Sequence, residues 1–111
     1  FGAKGSVDAR ELKSIDAQML EKIRRYNSAK TDLTYLGQYR AKYPMDELMI
    51  TYYDQMKNGY LKDLQARAKE IRLMPGLTPS QRDAMLRNVR FQEDLAKHDI
   101  VVKLKAYGLE P

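Results

Sequence analysis

The chain has no cysteine, no tryptophan, a single histidine, four prolines, six glycines and two phenylalanines among 111 residues. Each shortage removes a class of function. Without cysteine there is no disulfide framework, no thiolate metal centre and no cysteine nucleophile. The lone His98 has no serine motif to serve, so no nucleophile-and-base arrangement can be built around it. Its one metal-like spacing, with Asp94 four residues earlier, offers too few ligands for zinc and reads as an ordinary pair on a helix face. The glycines stand at 2, 5, 37, 59, 76 and 108, so no glycine-rich loop opens a helix to cradle a phosphate. Long hydrophobic runs are missing too. Nothing approaches the ~18 apolar residues that span a bilayer, and the opening FGAKGSVDAR has no signal-peptide core. The expectation is a soluble chain with no membrane span, no cofactor, no metal and no enzymatic role.

What is present is charge, tyrosine and helix-forming residues. Lys and Arg number 20 against 15 Asp and Glu, giving a formal net charge of +5 and a pI near 9.4. That bias permits weak electrostatic attraction to nucleic acid. The first residue is Phe1, which leads to the expectation of a piece of a longer polypeptide. Breakers fall at FGAKG, Tyr43-Pro44, MPGLTP (74–79) and GLEP. Between them lie stretches rich in Leu, Met, Ala, Glu, Gln, Lys and Arg. The spacing predicts an all-α domain over 8–107: three long helices near 8–43, 45–73 and 79–107, packed as an antiparallel hairpin or bundle with coiled-coil-like contacts. Residues 1–7 read as a flexible lead and 108–111 as a tail.

Apolar stripes at spacings of three, four and seven support each helix. In the first they are Leu12, Ile15, Met19, Ile23, Tyr26 and Leu33. In the second they are Met49, Tyr52, Tyr53, Met56, Tyr60, Leu64, Ala68 and Ile71, with Gly59 the weak point. The third opens on Thr78-Pro79-Ser80-Gln81, a capping box with proline at the first helical position. Its main stripe is Met85, Leu86, Val89, Ala96, Ile100, Leu104 and Tyr107, and Ile71 is expected near Met85 or Leu86. Gly108 fits the residue just past the helix end.

Two features do not fit a closed bundle. Ala84, Phe91, Leu95 and Val102 form a second stripe nearly opposite the main one, which a three-helix bundle does not require. Phe91, Leu95 and Val102 are therefore expected to meet another copy or the rest of the parent chain. Tyr35, Tyr39 and Tyr43 recur every fourth position and point away from Leu12, Met19 and Tyr26 if residues 8–43 are one straight helix. A continuous helix is the economical reading; a break in NSAKTD (27–32) or near Gly37 is the other. The tyrosines then read as a layer shared with Met49, Tyr52, Tyr53 and Met56, hydroxyls at the rim, or as a separate contact face. A stacking platform for single-stranded nucleic acid, with Arg40 and Lys42 between the rings, is the competing reading.

The acids read as structural. Asp46 and Glu47 suit the first turn of a helix, and Glu93, near the middle of the third helix's main stripe, suits a hydrogen bond or ion pair across the bundle. Basic residues gather at Lys22, Arg24, Arg25 and Lys30, and around the MPGLTP turn. Arg67, Lys69, Arg72, Arg82, Arg87 and Arg90 are the candidate phosphate contacts there, against the plainer reading of a solvated helical face.

The run GYLKDLQARAKEIRLMPGLTPSQRDAMLRNVRFQEDLAK, residues 59–97, pairs a basic helix ending in isoleucine, a short Leu-Thr-Pro turn and an Arg-rich helix ending in Ala-Lys. It resembles a helical hairpin near the ends of very large phage and mobile-element polypeptides, among them polyvalent proteins and the internal, ejected virion proteins of tailed phages. The resemblance covers about a third of the chain and carries no catalytic residue. It implies a helical structural module of a DNA-delivery protein, placed in the virion interior or host cytoplasm and contacting other subunits. A small basic nucleic-acid-binding or regulatory helical protein is the alternative.

Overall fold

The computed structural model describes residues 9–109; the expected lead over 1–7 and the last two tail residues lie outside them. Every element among the described residues is helical. Helix α1 is Ala9–Ala29 and α2 is Leu33–Lys42. Helix α3 covers 46–73 in three parts: α-helical Asp46–Asp54, a π turn Gln55–Tyr60 and α-helical Leu61–Leu73. Helix α4, Pro79–Ala106, runs for 28 residues without interruption. Among the described residues there are thus four helices and not the expected three.

The correction falls in the first stretch, where 8–43 is not one helix. Thr31 donates its hydroxyl to the Ser28 carbonyl at 2.7 Å, closing α1. Asp32, in extended conformation, then accepts from the amides of Thr34 and Tyr35 and starts α2. An Asp side chain at this position satisfies donors that a new helix would otherwise leave orphaned. Fully buried Ala29 lets α2 fold back onto α1, so that Tyr26, Ala29, Leu36 and Tyr39 form a small cluster of their own.

The larger core lies elsewhere. Ile15 and Met19 of α1, Met49, Tyr53, Leu61, Leu64, Ala68 and Ile71 of α3, and Val89, Ala96, Ile100, Val101 and Leu104 of α4 make one continuous cluster. Tyrosines 35, 39 and 43 do not form the expected layer with Met49, Tyr52, Tyr53 and Met56: those four belong to the large cluster, Tyr39 to the small one, and Ile50 touches both. The break at 30–32 is the reason, because it turns α2 against α1.

The π turn makes a second correction. Its closing amide, Leu61, donates to the Met56 carbonyl five residues back, which inserts one residue and advances every later side chain along the stripe. Leu61 is buried, and Tyr60, expected in the core, is 44 % exposed. Gly59 lies inside this turn with open space where a Cβ would stand. Its contribution is weak helix propensity, which lowers the cost of departing from α geometry.

The α3–α4 hairpin follows the sequence closely. The Thr78 side chain accepts from the Gln81 amide at 3.1 Å and the Gln81 side chain accepts from the Thr78 amide at 2.9 Å, completing the capping box. Ile71 and Met85 line one shallow depression, so the expected pairing across the turn is present. At the far end the tail is not loose where it is described. Gly108, at φ 105°, donates to the Lys105 carbonyl and Leu109 donates to that of Leu104. This is the Schellman arrangement, which needs a left-handed residue where glycine stands. It tucks Leu109 into the core beside Leu104.

The assembly measures 59 × 30 × 16 Å with a radius of gyration of 17.7 Å. A chain of this length packed as a sphere would have about 13 Å. The fold is therefore a flat plank, and much of each helix remains at the surface.

Candidate functional site

Three surfaces carry the sequence's candidate residues. The first is the tyrosine face of α2, which the structure divides. Tyr39 is buried and donates to Asp46 Oδ2 at 2.5 Å; Tyr43 is half-buried against it, ring centroids 4.9 Å apart; Tyr35 stands 55 % exposed. Tyr39 meets Tyr26 edge to face at 5.9 Å. Burial first, then the Asp46 carboxylate, pushes the Tyr39 hydroxyl well above the ordinary tyrosine range.

Asp46 is the hub of this end. It is the one buried charged side chain among the described residues, and Lys22 of α1 reaches its other oxygen at 3.2 Å. A buried carboxylate needs such partners. Beside it Tyr26 donates to Glu47, and Arg40 donates to the same Glu47 oxygen at 3.0 Å. Asp46 and Glu47 stand in the first turn of α3 as expected, and they also tie α1 and α2 to it. A similar clamp stands further along, where Tyr53 donates to Asp16 at 2.5 Å and Lys57 reaches Asp16 at 3.3 Å. Desolvation and that carboxylate raise the Tyr53 hydroxyl in the same sense.

On the outer side of α1 and α2 an open cleft of about 510 Å³ is lined by Arg24, Arg25, Lys42, Ser28, Gln38 and the three tyrosines. No acid lines it, although Glu21 holds Arg24 at 2.5 Å and Arg25 at 3.9 Å from one side. Lys42 lies over the Tyr43 ring at 5.4 Å. Arg40 is absent from the lining, being committed to Glu47.

The second surface is the basic set around the turn, and the structure disperses it. Arg82 is spent on structure: its guanidinium donates to the carbonyls of Ile71 and, at 3.1 Å, Arg72, capping the last turn of α3. Arg87 pairs with Asp83 at 3.2 Å. Arg67, Lys69, Arg72 and Arg90 are exposed. Lys69 diverges from Arg67 by about 200° around α3 and Arg72 by about 140°, so they do not converge on one phosphate.

The third surface is the outer stripe of α4. Phe91, Leu95 and Val102 are 50 %, 42 % and 51 % exposed, and Ala84 is exposed with them. The opposite side of the same helix buries Val89, Ala96, Ile100 and Leu104. Glu93 is half-buried within that inner side, without the expected hydrogen bond or ion pair to another helix. Next to Leu95 lies a depression of about 350 Å³ lined by Met56, Tyr60, Gln92, Leu95, Ala96 and Asp99. The π turn places Tyr60 there, and a stripe drawn at constant helical period could not have found it.

Among the described residues no three His, Asp or Glu side chains gather as metal ligands, and no helix is long and apolar enough to cross a membrane. No protein-family model, curated protein or solved structure matches this chain.

Proposed function

We propose that the chain is a structural and interaction module of a larger polypeptide, offering the outer stripe of α4 as a contact surface for another protein segment. One observation carries the reading: a helix already packed on its inner side keeps Phe91, Leu95 and Val102 half-exposed within a 40° arc on the other. Two-sided apolar helices belong to assemblies more readily than to isolated domains. The exposed ring of Tyr35 offers a lesser contact point at the opposite end. The finer packing, a coiled-coil-like bundle, rests on the apolar spacing, the setting, an internal virion protein of the DNA-ejection type, rests on the sequence resemblance, and both belong to the same proposal. It assigns the chain no reaction.

Leu95→Asp tests it. The purified variant is expected to keep wild-type helicity by circular dichroism while the native assembly, followed by sedimentation, loses this subunit. Undiminished assembly with Leu95→Asp overturns the reading.

The alternative is a small basic helical protein that binds nucleic acid or regulates through it, and the cleft lined by Arg24, Arg25, Lys42 and Tyr35 favours it. Phosphate contacts there would make affinity fall steeply with salt. Filter binding of single-stranded DNA from 50 to 200 mM salt, ~10-fold loss or more for a handful of contacts, separates the two; flat, negligible binding removes the alternative.

A further inference from the structure

The cleft between α1 and α2 has two walls that are held unequally. Arg24, Arg25 and Ser28 stand on α1, which reaches the large core through Ile15 and Met19. Tyr35, Gln38, Tyr39 and Lys42 stand on α2, whose buried residues belong only to the small cluster. Tyr39 serves twice, because its ring lines the cleft while its hydroxyl fastens α2 to Asp46. We infer that this cleft takes a nucleoside monophosphate, base against Tyr35 and phosphate among Arg24, Arg25 and Lys42, and that the bound ligand clips α2 to α1. The inference rests on the cleft that favours the second functional reading and is independent of the outer stripe of α4. It replaces a strand by a ligand of one nucleotide and adds an effect on the fold.

Charge is the first argument. Three cations line the cleft, and the one acid paired with any of them among the described residues is Glu21, outside the lining. One carboxylate against two guanidiniums and an ammonium leaves two positive charges, which matches a phosphate monoester at neutral pH. Arg25 touches Glu21 only at 3.9 Å, too long for a hydrogen bond, and Lys42 has a tyrosine ring beside it. The other acids of this end are committed: Asp32 to the first amides of α2, Asp46 to Lys22 and Glu47 to Arg40. Size and placement are the second argument. The volume of about 510 Å³ suits a small ligand. Tyr35 and Lys42 project within ~20° of each other and ~10 Å apart along α2, a span that one nucleotide bridges from base to phosphate. Gln38, one turn on from exposed Tyr35, offers both a donor and an acceptor to the edge of a base stacked there. An extended phosphopeptide is the weaker candidate, because such peptides pair with a free strand edge and every described element is a helix. The effect on the fold follows from the two walls. Helix α2 has ten residues, too few to persist alone, so a ligand that spans both walls binds only while α2 is docked.

Adenosine monophosphate, adenosine and inorganic phosphate, titrated separately into the purified chain, test the pairing of ring and charge. The nucleotide is expected to bind at least about fivefold more tightly than either part, the low end for one stacked base. Tyr35→Ala should weaken nucleotide binding by about the same factor and leave phosphate binding unchanged, whereas Lys42→Gln should weaken both. Both side chains are exposed, so wild-type helicity by circular dichroism is expected of each variant. With the nucleotide at ten times its dissociation constant, deuterium exchange of the α2 amides should slow about tenfold in the wild type; this measurement needs no variant. Absence of nucleotide binding at millimolar concentration, binding that Tyr35→Ala leaves intact, or unchanged α2 exchange at saturation overturns the inference. So does a phosphotyrosine peptide that binds more tightly than the nucleotide, which would give the cleft to a peptide. The strand reading is judged apart. Single-stranded DNA that binds while the mononucleotide does not keeps that reading and overturns this one; a nucleotide that binds and slows α2 exchange while DNA fails to bind does the reverse.

Discussion

The two ends of the plank hold together by different means. Where α3 meets α4, the contact is aliphatic and dry: Leu64, Ala68 and Ile71 against Val89, Ala96 and Ile100. Where α1, α2 and the start of α3 meet, a four-member cluster is closed by hydroxyl–carboxylate bonds from Tyr26 and Tyr39 and by ion pairs from Lys22 and Arg40. Non-directional burial tolerates small shifts, whereas a shared carboxylate works only in one geometry. The α3–α4 end thus resembles a generic hairpin, and the α1–α2 end depends on particular side chains.

That contrast can be broken in graded steps. Ile100→Asp should unfold the whole chain, a loss of about 4 kcal/mol or more, because it buries a charge with no partner at a fully enclosed site. Loss of the helical circular dichroism signal is the measurement, with Leu95→Asp as the folded control. Asp46→Ala should cost about 2–4 kcal/mol by orphaning the Tyr39 hydroxyl and Lys22 at once. The thermal midpoint should fall while the α3–α4 pair stays helical.

Arg82→Ala and Thr78→Ala should each lower stability by about 1 kcal/mol through lost caps, with no change in any nucleic-acid binding, and thermal melts check both. Alkaline pH provides a gentler probe. The Tyr39 and Tyr53 hydroxyls ionise higher in the folded than in the unfolded chain. Their stabilising effect is therefore complete below the unfolded value near 10 and is lost as pH rises above it. Tyrosinate absorbance should show these two titrating last, and Tyr53→Phe should flatten the loss of stability above pH 10. Smallest of all, Gly59→Ala should raise stability by up to about 1 kcal/mol, since its Cβ has room.

The sequence revealed the hairpin better than the clamp, for reasons visible in single residues. Helical composition, the Thr78 capping box and the two stripes of α4 depend on local spacing, and local spacing is what a sequence displays. The outer stripe of Phe91, Leu95 and Val102 was legible on the same grounds. The break after Ala29 was not, because a continuous helix costs little locally and only the packing of Tyr39 on Tyr26 and Ala29 makes the fold-back favourable. Asp32, a capping residue directly before Leu33-Thr34-Tyr35, was the available signal. The π turn defeats any constant period, so Tyr60 and Leu61 exchanged places. Asp46 read as a first-turn acid and Arg82 as a phosphate contact or part of a solvated face, because partnership across helices leaves no mark on the residues next to them.

The plank is only 16 Å in its shortest dimension, somewhat more than the ~10–12 Å of one helix with its side chains. So thin a body leaves the outer side of every helix without a second layer of protein over it, and protection from solvent deuterium comes from helix pairing. Slow exchange should be confined to the inner sides of the second half of α3 and of α4. Helix α2, ten residues long and fastened chiefly through Tyr39, should open as an independent unit long before the rest.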